Sequence, residues 1–178
     1  MRDAMRDAGS GIEDWGLAIQ GQGSGIRDVI DRLLAVVGGQ TITLSDVNAA
    51  IQFQLVDVPA GTPDPVVYTL DRLIDRTLIL AEVDRFQPPE PDPVEMTIRI
   101  DEIQRRAGSA AAVDHALAVT GRTRQELRRY IRDDLRMATY INQRFGATTA
   151  ATERATAVAG WVGDLRKRGD VTVLYHGK

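Results

Sequence analysis

Two strand-forming segments far apart in the chain restrict its fold more than any other feature. The first is a β-hairpin predicted from Leu33–Val37 and Gln40–Thr43, which flank a Gly-Gly pair suited to the positive φ angles of a type I′ turn. The second is a single strand at residues 171–175. Because an isolated hairpin is marginally stable in water, we expect the later strand to pair with Leu33–Val37 and complete a three-stranded sheet. Leu34, Val36 and Ile42 are the hairpin side chains that this third strand is expected to help cover.

Proline positions separate the helices predicted for the rest of the chain. All seven prolines lie in residues 59–65 and 88–93, and proline costs ~3 kcal/mol inside a helix. We therefore predict six helices outside these stretches. The first is capped by Ser45 or Asp46 and ends near Leu55. The others cover approximately residues 64–84, 92–107, 110–120, 124–145 and 150–168.

Apolar residues at helical spacing predict which helix faces are buried. Burial of each large aliphatic side chain contributes ~1.5–3 kcal/mol, so these stripes are expected to form the core. The fold class is therefore mainly α with one small sheet. The predicted buried residues are Leu70, Leu73, Ile74, Thr77, Leu78 and Ala81 on the second helix, Leu127, Ile131, Leu135, Ala138 and Ile141 on the fifth, and Trp161 and Leu165 on the sixth.

The composition is that of a folded chain with no preference for a polyanionic partner. Apolar residues make up 43% of the 178 residues, and the net charge is −3. The sequence contains no cysteine, which excludes disulfides, thiolate metal sites and cysteine nucleophiles. No apolar run approaches the ~20 residues that span a bilayer, so we expect no membrane insertion.

We expect one folded domain, residues 29–176, preceded by a disordered segment, residues 1–28. This segment is rich in Gly, Asp, Gln and Ser, a composition that favours disorder. It also lacks the apolar stretch of about 7–15 residues that characterises a signal peptide.

Four segments, in this order, resemble the SurA-type periplasmic chaperones and foldase-like prolyl isomerases. They are AVVGGQTITLSD (35–46), RLIDRTLILAE (72–82), VTGRTRQELR with YINQRF (119–128 and 140–145), and the C-terminal Trp161 and LRKR (165–168) before VTVL (171–174). The resemblance implies the family's helical N-terminal domain, residues 29–145, closed by a C-terminal helix and strand, residues 150–176. It also implies a periplasmic location.

One large departure from that family changes the expected activity. The family carries one or two parvulin isomerase domains between the long helix and the C-terminal segment, whereas here only residues 146–149 occupy that place. We therefore expect no prolyl isomerase activity, no other enzymatic activity and no cofactor. The resemblance implies an ATP-independent holdase whose apolar groove binds unfolded or outer-membrane-type polypeptides. A structural or adaptor protein that holds one fixed partner in the same groove is the first alternative.

Six residues are candidates for lining such a groove. Three of them run from the first helix into the proline-rich loop, and two are methionines, whose soft side chains suit promiscuous surfaces. Packing in the core is the competing interpretation for each of them. The candidates are Phe53, Leu55, Val58, Met96, Met137 and Tyr140.

The sequence gives little support for catalysis or metal binding. His115 and His176 are the only histidines, and neither lies in a recognisable catalytic or metal-ligand pattern. The acidic pairs at residues 101–102 and 133–134 lack metal-ligand spacing and are typical of solvated helix faces.

A second alternative is a DNA-binding regulator, because residues 116–130 resemble a helix-turn-helix with arginines in the recognition helix. These arginines are Arg122, Arg124, Arg128, Arg129 and Arg132. Acidic residues among them, Glu126, Asp133 and Asp134, count against phosphate binding. The spacing of Arg129, Arg132 and Arg136 instead predicts an ordinary solvent-facing stripe.

Overall fold

The computed structural model describes residues 31–146 and 150–177, which belong to one compact unit, Asp31–Lys178. The expected disorder of residues 1–28 lies outside the described residues. The fold class is confirmed, since the chain is mainly α with one small sheet. In chain order the elements are β1 (Leu33–Val37), β2 (Gln40–Thr43), α1 (Leu44–Gln52), α2 (Pro65–Phe86), α3 (Pro93–Ala107), α4 (Ala110–Thr120), α5 (Arg124–Phe145), α6 (Ala151–Arg168) and β3 (Val171–Val173).

The sheet joins the hairpin to the C-terminal strand, as predicted. Its order is β2-β1-β3, and both pairings are antiparallel. Ala35 lies opposite Val173, and the N–H of Leu174 donates to the carbonyl of Leu34 over 2.9 Å, so the pairing extends beyond β3 itself. Gly38 and Gly39 have φ angles of 55° and 81°, which agree with the predicted type I′ turn.

A bulge in β1 changes which of its side chains face the core. The register of the β1–β2 pair shifts between Leu33 and Ala35, so that Leu34 and Ala35 are both buried. Val36 then lies opposite the exposed Thr172, on the outer face of the sheet. Val36, which the third strand is expected to help cover, is therefore only half-buried, whereas Leu34 and Ile42 are buried.

Local capping signals explain where the helices begin. Asp64, Asp92, Ser109 and Thr123 cap α2 to α5, each accepting a backbone N–H at its side-chain oxygen. The predicted cap of α1 is wrong by two or three residues, because Thr43 forms a capping box with Asp46 and the helix begins at Leu44.

Two hydrophobic clusters form the core of the described residues. The first packs the sheet and α2 against Trp161 and Leu165 of α6, as predicted. The second packs α3 and α4 against α1 and the first half of α5. Large side chains of the first cluster are Leu34, Val37, Leu70, Ile74 and Val83, and those of the second are Phe53, Ile103, Leu117, Leu127 and Ile131.

Helix α5 belongs to both clusters, and its buried face therefore rotates along its length. Ile131 lies in the second cluster, whereas Tyr140 lies in the first. Ala138, predicted to be buried, is exposed, as is Ala81 on α2. Arg136, predicted to be solvent-facing, is only 9% exposed. The burial predicted from helical spacing is wrong at these positions, because that spacing rule assumes that one face of the helix is buried along its whole length.

Candidate functional site

An open groove bounded by α2, α5 and α6, here called the α2–α6 groove, is a concave surface that could hold a ligand. Its volume is about 1100 Å³. The loop after α1 also contributes to it. Its larger apolar side chains are Leu55, Val56, Ile79, Tyr130, Met137, Val158 and Val162.

Small side chains recur along the α6 wall of the groove, beside the larger Arg154, Val158, Val162 and Arg166. Ala151, Ala155, Ala159 and Gly163 all line it and recur at intervals of four residues. Residues four apart lie on the same face of a helix. Ala155 and Ala159 are exposed, so this wall leaves space that larger side chains would fill.

An ion-pair cluster connects α6 with α2 where Arg166 lines the groove. The Arg166 guanidinium lies 2.7 Å from the Asp71 carboxylate and 2.5 Å from that of Asp75. It also donates to the Asp71 carbonyl over 2.9 Å. Hydrogen bonds from Arg166 to Asp75 raise the pKa of the guanidinium. This cluster fixes the distance between two walls of the groove.

A partly buried arginine, Arg76, lines both the groove and a neighbouring cavity. The Arg76 guanidinium is 3.7 Å from the centroid of the Tyr130 ring and donates to the Tyr130 carbonyl over 2.9 Å. Its Nε lies 3.7 Å from the Asp134 carboxylate. Burial raises the pKa of both Asp134 and the Tyr130 hydroxyl. The charged side chain of Arg76 thus lines both the groove and the cavity.

The neighbouring cavity has a volume of about 290 Å³ and lies between α1, α2, α4 and α5. Phe53, Leu117 and Leu127 supply apolar lining. Arg122 also lines it, 2.7 Å from the Asp46 carboxylate and 3.4 Å from that of Glu126. Arg122 is therefore already paired within the protein, whereas Arg129, which also lines the cavity, forms no ion pair among the described residues.

The structure brings two of the six predicted groove residues together. Leu55 and Met137 both line the α2–α6 groove. Phe53 is buried in the second hydrophobic cluster, and Met96 packs against that cluster.

The last two candidates lie away from the groove. Tyr140 is buried in the first cluster, where its ring lies 5.3 Å from that of Phe86 and 5.9 Å from that of Trp161. Val58 lies partly exposed in the loop before α2. The predicted set therefore divides between the groove, the core and a loop.

Sequence reasoning missed the α6 wall of the groove. Its signal is visible in the sequence, because small residues recur at positions 151, 155, 159 and 163. The wall formed by Ile79 and Tyr130 has no such signal, since it depends on how α2 and α5 pack.

Most of the arginines expected to contact DNA are paired with carboxylates. Arg124 forms two hydrogen bonds of 2.6 Å with Asp114, and Arg122 pairs with Asp46. Arg132 lies 3.2 Å from Asp133. Three of the five arginines are thus neutralised within the protein, which weakens the helix-turn-helix interpretation.

The remaining candidates offer no assembled chemical site. His115 on α4 and His176 after β3 are both exposed. Residues 31–146 and 150–177 contain no group of three His, Cys, Asp or Glu side chains arranged to hold a metal ion. In the same part of the chain, no helix combines the length and apolar character needed to cross a membrane.

Comparison with known proteins assigns no family to the chain. A scan of protein families finds no family that matches, and a search of curated proteins finds no match. The resemblance to SurA-type chaperones therefore depends on the four sequence segments alone.

Proposed function

We propose that this protein is an ATP-independent chaperone, or holdase, that binds segments of unfolded polypeptides in the α2–α6 groove without isomerising prolines. The proposal includes the SurA-type relationship and the periplasmic location that the four segments imply. It requires no cofactor. Clients would include unfolded chains of the outer-membrane type.

The observation that carries the proposal is the size and lining of the groove. Its volume of about 1100 Å³ lies at the upper limit of small-molecule pockets, which span ~300–1,000 Å³. The groove is also open to solvent, so that a flexible chain can reach its lining. These properties favour a segment of polypeptide over a compact metabolite.

The side chains of the groove favour weak binding to many sequences. Met137 is unbranched and can adapt to different partners. Ala155 and Ala159 present apolar surface without defining a deep specificity pocket. Surfaces of this kind are used by proteins that accept many partners.

Aggregation assays on unfolded substrates test the proposal. Without nucleotide, the protein should delay the light scattering of several unfolded β-rich substrates at up to equimolar concentration. Ala155→Glu should weaken this protection, because it places a charge on the apolar wall. Ala157→Glu is the matched control, since Ala157 is an equally exposed alanine of α6 that does not line the groove.

The same experiment separates the alternative functions. Unchanged scattering for every substrate would contradict the holdase proposal, whereas binding of a single substrate from the panel would favour an adaptor with one fixed partner. Retention on a DNA column that decreases with salt would favour a DNA-binding regulator.

A further inference from the structure

The outer edge of β3 presents backbone hydrogen-bonding groups that the rest of the described structure does not use. The strand order β2-β1-β3 places β3 at one side of the sheet. Gly38 donates to the carbonyl of Asp170, and Leu174 donates to the carbonyl of Leu34. Because bonding direction alternates along an antiparallel pair, the backbone groups of residues 170, 172 and 174 face β1.

It follows that the N–H and C=O groups of Val171, Val173 and Tyr175 point away from β1. Among residues 31–146 and 150–177, these groups have no hydrogen-bond partner. The side chains of all three are partly buried against the protein, whereas Thr172 and Leu174 are exposed on the outer face. The edge thus combines free backbone groups with side chains that are already anchored.

This edge lacks three of the usual blocks against further pairing. Natural edge strands are commonly protected by proline, lysine, a bulge or a very short length, and only the last applies to β3, which has three residues. Residues 170–177 contain neither proline nor lysine, and the β1–β3 register is continuous from Val37 to Ala35.

Contacts beyond β3 hold the edge in place. The Arg32 guanidinium lies 5.0 Å from the centroid of the Tyr175 ring. A Cβ added at Gly177 would come within 3.0 Å of the Asp64 carboxylate at the start of α2. The residues after β3 therefore pack closely on α2, and the edge extends over residues 171–175.

We infer that the β3 edge is a second binding site, where an extended segment of a client polypeptide adds as a fourth strand. The free groups of Val171, Val173 and Tyr175 match the N–H and C=O groups of another extended backbone. Strand addition obtains its affinity from such main-chain hydrogen bonds and tolerates many sequences. The identity of the occupant as a client rests on the proposed function, but the site is separate from the α2–α6 groove.

Amide hydrogen exchange measured by NMR tests the edge without any substitution. The probe is a short soluble peptide that alternates Thr and Val between terminal Lys residues. Adding it should slow exchange at Val171, Val173 and Tyr175, whereas Thr172 and Leu174, whose amides face β1, should change little. The same peptide N-methylated on alternate residues should give no protection. Unchanged exchange at residues 171, 173 and 175, or protection confined to the groove, would overturn the inference.

A pair of variants tests the role of one hydrogen-bond donor. Val173→Pro removes the outward N–H, and proline is tolerated at edge positions whose N–H faces solvent. Val173→Ala is the control, because it loses the same side chain and keeps the N–H. Relative to Val173→Ala, peptide affinity of Val173→Pro should fall roughly two- to tenfold, the effect of one hydrogen bond. Equal affinities would contradict the proposed strand addition.

Two further outcomes distinguish this inference from the proposed function. If Ala155→Glu abolishes protection from aggregation while residues 171, 173 and 175 show no peptide-dependent protection, the groove proposal stands and the edge proposal fails. If sedimentation shows that the protein alone pairs edge to edge as a dimer, the occupant is a second copy, and the client assignment is overturned.

Discussion

The Arg136 guanidinium of α5 lies 2.9 Å from the Asp84 carboxylate of α2. The Arg136 side chain is 11% exposed, whereas that of Asp84 is 63% exposed. A second carboxylate, Asp133, lies 3.7 Å away, and the Nε of Arg136 is buried without a hydrogen-bond partner among the described residues. A cation buried to this degree depends on its two carboxylates, and its pair with Asp84 joins α5 to α2.

We predict that Arg136→Gln lowers the free energy of unfolding by about 2 kcal/mol. Breaking a fully buried ion pair costs ~3–5 kcal/mol, and the value is smaller here because Asp84 remains solvated. Arg129→Gln is the control, since Arg129 is exposed on the same helix and its replacement should stay within ~0.5 kcal/mol. Urea unfolding measures both, and equal midpoints would show that Arg136 contributes no more than a surface charge.

Truncation after Gly169 should lower the melting temperature by about 10 °C. The truncation removes several backbone hydrogen bonds, each of which contributes ~1 kcal/mol to stability. In a chain of this size, a loss of 1 kcal/mol lowers the melting temperature by ~2–4 °C. It also exposes the free edge of β1, so the shortened protein should self-associate. Calorimetry and sedimentation measure the two effects. Equal melting temperatures of the full-length and truncated chains would contradict the role of β3 in closing the fold.

The lowered pKa of Glu126 predicts how the stability of the protein depends on pH. Hydrogen bonds from the Thr123 side chain and backbone, together with Arg122, lower the pKa of Glu126 below its ordinary value of 4.5. The contribution of Glu126 to the free energy of unfolding is therefore complete above about pH 4.5. It is lost as the pH falls through the lower pKa that Glu126 has in the folded state. Glu126→Gln should be less stable than the wild type at pH 7, and this difference should shrink in acid.

Asp134 should affect stability in the opposite direction as the pH changes, because burial raises its pKa. The folded state disfavours the ionised carboxylate of Asp134, which therefore destabilises the protein near neutral pH. This destabilisation decreases as the pH falls and the carboxyl is protonated. Urea unfolding of Asp134→Asn and Glu126→Gln over a pH series compares the two. Parallel pH profiles for both variants would contradict these assignments.

The chain should not accelerate the cis–trans isomerisation of an X-Pro peptide, which takes tens to hundreds of seconds without catalysis. This expectation rests on the proposed SurA-type relationship, in which parvulin domains lie between the long helix and the C-terminal segment, where this sequence has only residues 146–149. A protease-coupled peptide assay measures the rate, with a parvulin isomerase as the positive control. A clear acceleration by this protein would overturn the functional proposal.

Much of the fold is predictable because its signals are local. Asp92, Ser109 and Thr123 mark helix starts through their own side chains, and the Gly38-Gly39 turn sets the hairpin. The start of α1 is ambiguous in the sequence, since Thr43, Ser45 and Asp46 are all possible caps. Only the capping box between Thr43 and Asp46 decides between them.

The groove is predictable only in part, because it depends on packing between distant elements. The burial of Arg136 follows from the passage of α5 between two hydrophobic clusters, which no spacing rule describes. For the same reason Phe53, chosen for its position after the first helix, and Tyr140, chosen for its adaptable side chain, lie in the core. The small residues that recur along α6 are a local signal for one wall, but that signal played no part in the prediction of the groove residues.

Site-specific photo-crosslinking tests binding in the α2–α6 groove most directly. A photoreactive side chain replaces either Ala155, which lines the groove, or Ala157, an equally exposed alanine of α6 outside that lining. Each variant is illuminated with an unfolded outer-membrane-type β-rich protein in the absence of nucleotide. The proposal predicts strong adducts from position 155 and few from position 157. Equal yields from both positions, or adducts from position 157 alone, would contradict it.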